Sequence, residues 1–101
     1  MSSQDLRSKI LRETAIYPWA ELQRQFAAGN VLHVADHLDL IEVALIMAQD
    51  QSQAFAELLQ RGEVSKVADQ QAQLWLEQDL SLWTVVIRPW ILVQTVRPKS
   101  N

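Results

Sequence analysis

Cysteine is absent from the sequence. That removes disulfide staples, thiolate metal sites and cysteine nucleophiles together, and it fits a reducing compartment, the cytoplasm. Glycine occurs twice, as Gly29 and Gly62, each standing alone, so no glycine-rich loop is available to cradle a phosphate. Long apolar runs are missing as well. The longest, Val43 to Ala48, falls far below the roughly 20 residues that cross a bilayer. The N-terminal stretch interleaves Asp5, Arg7, Lys9, Arg12 and Glu13 with its apolar positions, unlike the unbroken apolar core of a signal peptide. Positive charge is scarce too: the net charge is -3 and the pI about 5.2. Attraction to phosphate backbones or anionic lipid is therefore not expected, and neither a nucleic-acid nor a membrane partner is implied.

What is present is an ordinary globular composition, 49% hydrophobic and 21% charged, which folds without help. A chain of 101 residues suits one core, because two would each be too small to offset the entropy of ordering them. We expect a single domain over residues 1–97, with 98–101 a solvated C-terminal tail.

Leu6, Ile10 and Leu11 recur at helical spacing, and that helix should end before Pro18. A second helix should start at Pro18, turn Trp19, Leu22 and Phe26 inward and stop at Gly29. The β-branched run 31–35 reads as a strand. Asp39 stands three residues before Glu42 with Leu38 and Val43 flanking, a capping box with a hydrophobic staple. The helix that follows, 40–49, is apolar on nearly every side and should lie at the centre. Asp50 with Gln53 repeats the capping spacing and predicts another helix, with Phe55, Leu58 and Leu59 inward and Gly62 as its stop. A connector through Val67 leads to a helix over 69–78 with Ala72, Trp75 and Leu76 on one face. Segment 82–96 carries the strongest strand signal, interrupted by Pro89. Arg-Pro is a poor two-residue hairpin turn where positive φ is needed, so one bent strand at a sheet edge is expected. The fold class is α+β: about five helices packed on a small sheet containing residues 31–35 and a long bent C-terminal strand, 82–96.

Three segments resemble a small bacterial family catalogued as domain of unknown function 2288. They are Trp19 in the second helix; Leu38-Asp39-Leu40-Ile41-Glu42-Val43 with Ala48 and Asp50 behind it; and Gln71 with Trp75 leading to Ile87-Arg88-Pro89-Trp90-Ile91-Leu92-Val93-Gln94. Together they span nearly the whole chain. The resemblance implies a compact bacterial cytoplasmic protein and brings no catalytic residue or cofactor with it. The chain departs from the family pattern at Ala68, where a threonine cap is usual, and at Arg88, where glutamine is usual.

His33, Asp36 and His37 are candidate ligands for zinc, manganese or iron, since imidazole with carboxylate suits those ions. They would have to converge across a strand-to-loop bend, while Asp39 and Glu42 are already used by the cap. Ser65 and Ser81 lack the flanking glycines of a nucleophile elbow. The helix after Asp50 offers Gln51, Gln53, Glu57 and Gln60 with Arg61 as its basic residue, a poor match to a DNA phosphate backbone. Four tryptophans are many for this length. Trp19 and Trp75 have apolar companions at helical spacing and read as core. Trp83 and Trp90 fall on opposite faces if the alternation is unbroken. Edge strands pair with other chains, and aromatic residues with arginine are enriched at interface centres. The expectation is therefore a non-enzymatic interaction or regulatory module that self-associates as a homodimer through Trp83, Arg88, Trp90, Leu92 and Gln94, with a further, unidentified protein partner left open. The alternative is a small enzyme or ligand-binding protein with its site near His33, Asp36 and His37. No residue is read as catalytic, and no cofactor is implied.

Overall fold

Residues 3–96 are described by the computed structural model; the predicted tail 98–101 lies outside them. Helix α1 (Ser3–Glu13) leads into strand β1 (Ala15–Pro18), a 3₁₀ turn (Trp19–Leu22), α2 (Gln23–Ala27) and β2 (Val31–Val34). Helices α3 (Leu40–Ala48) and α4 (Ser52–Gln60), strand β3 (Val64–Lys66), helix α5 (Asp69–Glu77) and strands β4 (Ser81–Ile87) and β5 (Trp90–Thr95) follow. This is an α+β fold. No helix among the described residues is long and apolar enough to cross a membrane.

Local chemistry explains most boundaries. The Asp39 side chain accepts a hydrogen bond from the Ile41 amide at 2.9 Å and starts α3, satisfying one of the donors a helix N-terminus leaves free. Glu42 points instead to Arg7 of α1, so half of the expected capping box is spent on a tertiary ion pair. Helices α2, α3, α4 and α5 stop in one way. Gly29, Asp50, Gly62 and Asp79 take positive φ just past each C-terminus. Around them the paired backbone bonds of a Schellman motif close, as in Asp79 N to Leu76 O and Leu80 N to Trp75 O. Asp50 is thus the stop of α3 and not the cap of α4, whose N-cap is Gln51 with no side-chain cap bond.

The five strands form one mixed sheet in the order β1-β4-β5-β2-β3. Strand β2 pairs with β5 in parallel, and the other contacts are antiparallel. Segment 82–96 is two antiparallel strands, with Ile87 opposite Trp90. The Arg88–Pro89 peptide between them is cis, the turn type that places proline at the second central position and needs no positive φ. Neither strand is an edge; the edges are β1 and β3. The hairpin also puts Trp83 and Trp90 on the same face of the sheet, because reversal at a two-residue turn restores the alternation that a continuous strand would have shifted. Strand β1 replaces the predicted end of the first helix, and β3 replaces part of the predicted connector.

Two apolar layers flank the sheet. On one face Leu32, Val34, Val85 and Leu92 pack against Ile10 of α1, against Leu40, Ile41, Val43, Ala44 and Leu45 of α3, and against Phe55 and Leu58 of α4. On the other, Val31, Leu82, Ile91 and Val93 meet Trp19, Leu22, Ala72 and Trp75. Trp19 is fully enclosed; its ring stands edge-on to Trp75 at 5.1 Å, and its Nε1 donates to Ala72 O at 3.0 Å. Buried indole nitrogens normally need such a partner.

Two stability predictions follow from the helix ends. Ala68, in extended conformation, is the N-cap of α5 and makes no side-chain cap bond; Ala68→Thr should stabilise the domain by about 1 kcal/mol in denaturant titrations, the usual worth of a cap. Asp79 holds a left-handed conformation, φ 51°, which costs an L-residue more than it costs glycine. Asp79→Gly should add about 0.5 kcal/mol once glycine's greater unfolded-chain entropy is subtracted, read as a small rise in Tm.

Candidate functional site

The C-terminal end of α1, the start of α3 and the β4–β5 hairpin leave a groove of about 430 Å³ between them. It is lined by Leu11, Thr14, Leu38, Asp39, Leu40, Ile41, Trp83 and Gln94. Gln94 lies opposite Trp83 in the ladder. Its Nε2 donates to both Ala35 O and Leu38 O at 2.8 Å, tying the β2–α3 loop to the sheet. Thr14 Oγ1 donates to Ile10 O at 2.7 Å. Asp39 is held by the Ile41 amide and stands 3.6 Å from Arg7. The polar side chains of the groove are therefore engaged by the fold itself; Asp39 stays exposed at the rim, and Leu11 and Trp83 are the exposed apolar residues.

That surface continues onto the sheet edge. Ile16 of β1 is the register partner of Trp83 and shares its face. Leu11, Ile16 and Trp83 are 58%, 49% and 37% exposed, which gathers three large apolar side chains at one corner. Sequence reasoning did not single out Leu11 or Ile16. Leu11 was grouped with Ile10, yet adjacent helix positions are about a quarter-turn apart, and Ile10 alone turns inward. For Ile16, the signal was present in the pair Ile16-Tyr17 just before Pro18, a short β-favouring stretch.

The five residues expected to form one surface are separated. Trp83 and Gln94 meet at the groove. Arg88 and Trp90 lie at the opposite end of the hairpin, around a hollow of about 250 Å³ shared with Ile46, Met47 and Phe55 at the α3–α4 corner. Arg88 is exposed there, while Trp90 is half-buried against the α3 side of the core. Leu92 is 0% exposed and belongs to the interior, because β5 is covered on both faces.

His33, Asp36 and His37 do not converge. The His33 ring packs edge-on against Trp75 at 5.1 Å. The Asp36 carboxylate accepts from the Thr95 hydroxyl. His37 Nε2 lies 2.8 Å from Glu63 Oε2, an interaction that holds the Glu63 carboxyl below its ordinary value. Among the described residues no group of three or more histidines and carboxylates is placed to hold a metal ion. His33 Nε2 is enclosed with no hydrogen-bond partner, and burial lowers its pKa, an effect that nearby Asp36 partly opposes.

Fold and site together define a small α+β domain, a mixed sheet covered on both faces with an apolar groove beside an open strand edge. The chain belongs to the family described as "Protein of unknown function (DUF2288)", which matches residues 5–95. It is similar to the NMR solution structure of PA1075 from Pseudomonas aeruginosa, with 43% sequence identity and a TM-score of 0.81. The match covers 96% of this chain and 90% of that one. No curated protein matches the chain.

Burial of His33 sets a pH dependence. Its folded pKa lies below the ordinary 6.5, so the unfolded chain takes up the proton first, and stability falls as pH drops from about 6.5 toward the folded value. The contribution of Glu63 is lost below its ordinary 4.5, a separate and more acidic window. Melting temperatures measured between pH 7.5 and pH 5 should decline, and His33→Phe should flatten that decline.

Proposed function

We propose that the domain is a non-enzymatic interaction module of the bacterial cytoplasm that works by associating with a second copy of itself. The observation that carries this reading is the corner of Leu11, Ile16 and Trp83, apolar and exposed beside a groove whose polar groups are already engaged. Most exposed apolar residues need no explanation, but a contiguous set of large ones at an unpaired sheet edge is the usual mark of an interface. Interface centres are depleted in charge and enriched in tryptophan, and Asp39, the charged residue of the groove, is occupied by its cap and by Arg7. A two-fold dimer is the commonest closed assembly and uses one self-complementary patch.

The cytoplasmic setting is supported by the lack of cysteine, and the bacterial one by the relative from Pseudomonas aeruginosa. The alternative of an enzyme or ligand-binding protein near His33, Asp36 and His37 has less support, since each of the three is engaged separately.

Trp83→Glu tests the reading. Trp83 belongs to neither core cluster but is only 37% exposed, so the variant should stay folded with a lowered Tm, whereas the charge should weaken self-association by about 30-fold or more, as at other tryptophan hot spots. Light scattering after size exclusion should show dimer for the parent and monomer for the variant. A parent protein that stays monomeric at several hundred micromolar would refute self-association. Trp90 is the poorer probe, because truncating it would also disturb the core.

A further inference from the structure

We infer that the two copies join through strand β1, pairing antiparallel across a two-fold axis at Ile16 so that the two sheets become one. This rests on the proposed self-association and specifies its geometry. The register sets which backbone groups are free. Trp19 N donates to Leu80 O at 2.9 Å and continues the register in which Ala15 faces Thr84 and Tyr17 faces Leu82. Hydrogen-bonded pairs alternate along an antiparallel ladder. The odd positions 15, 17 and 19 therefore bond to the β4 side, while the N–H and C=O of Ile16 point away from the sheet. Pro18, which has no N–H, occupies the other outward position, where proline does not interrupt the ladder.

Ile16 is thus the residue of β1 that offers both a donor and an acceptor to the open edge. Thr14 N is already bonded to Leu11 O, which closes the edge on the other side. With the two-fold axis at Ile16, the N–H of each copy meets the C=O of the other and both groups are satisfied. Sliding the axis to Tyr17 would leave the Ile16 carbonyl without a partner. The pairing also places Ile16 beside Ile16 of the second copy and aligns the two faces that carry Leu11 and Trp83, so the exposed corner is covered from both sides. On the opposite face, Tyr17, itself exposed, comes to lie across from Ala15 of the second copy.

The other edge argues for a closed pair. Strand β3 has three residues, with Ser65 and Lys66 exposed, and short edges carrying lysine resist pairing. An assembly using β1 against β1 ends at two copies, whereas β1 against β3 would continue without limit.

Amide hydrogen exchange read by NMR tests the geometry. At concentrations where light scattering shows dimer, exchange at Ile16 should slow at least tenfold relative to dilute monomer. Ala15 and Tyr17, protected by β4 in either state, should change little. Two variants supply a second arm. Ile16→Ala removes the side chain and keeps the amide, whereas Ile16→Pro also removes the outward N–H without touching the β4 ladder, and it should weaken the dimer at least tenfold more than Ile16→Ala. A dimer whose Ile16 amide exchanges at the monomer rate, or which tolerates proline as well as alanine, overturns the β1 pairing and leaves self-association standing. A strict monomer overturns both.

Discussion

Parallel pairing of β2 with β5 is the constraint on which the rest of the molecule depends. Val31, Leu32 and His33 of β2 lie beside Ile91, Leu92 and Val93 of β5, bringing together two segments far apart along the chain in the interior of the sheet. A strand in that position needs cover on both faces, and the continuous apolar run Ile91-Leu92-Val93 has side chains for both. One face is closed by α1, α3 and α4, the other by the 3₁₀ turn and α5 with Trp19 and Trp75. Remove the pairing and neither helical layer has a floor.

From that arrangement comes an uneven surface. Helices α1 and α3 pack over β4 and β5, and beside the edge strand β1 Leu11, Ile16 and Trp83 come to the surface. The same neighbourhood is held firmly. Gln94 fastens the β2–α3 loop through two bonds, and Arg7 bridges α1 to Asp39 and Glu42 at the start of α3. Polar anchoring thus lies below, and Leu11, Ile16 and Trp83 are exposed above. The histidines are absorbed in a similar way: His33 becomes packing for Trp75 and His37 a partner for Glu63.

Much of this was legible from residues whose signal is local. Asp39 announced the start of α3, Gly29 and Gly62 marked helix stops, and the all-apolar stretch after Leu40 predicted a buried helix, which α3 is. The β-branched run after Asn30 and the C-terminal strand signal also named true strands, and their mutual pairing was expected. Reading failed where short elements depend on neighbours. Strands β1 and β3 have four and three residues, too few to show a period, and they are strands because β4 and β2 offer them ladders. Arg88-Pro89 looked unfit for a hairpin because the common two-residue turns need positive φ, and the cis arrangement that permits the reversal cannot be inferred from composition.

The candidate surface divides along the same line. The expectation of an interaction face at the C-terminal tryptophans came from residue type alone; the α+β class and the apolar helix that became α3 were legible because each is fixed by side chains within a few positions of one another. Which tryptophan is exposed, that Leu92 is interior, and that Leu11 and Ile16 join Trp83 at one edge were decided by the tertiary structure. A strand's two faces and its place in the sheet are set by register and strand order, and both are settled by partners distant along the chain.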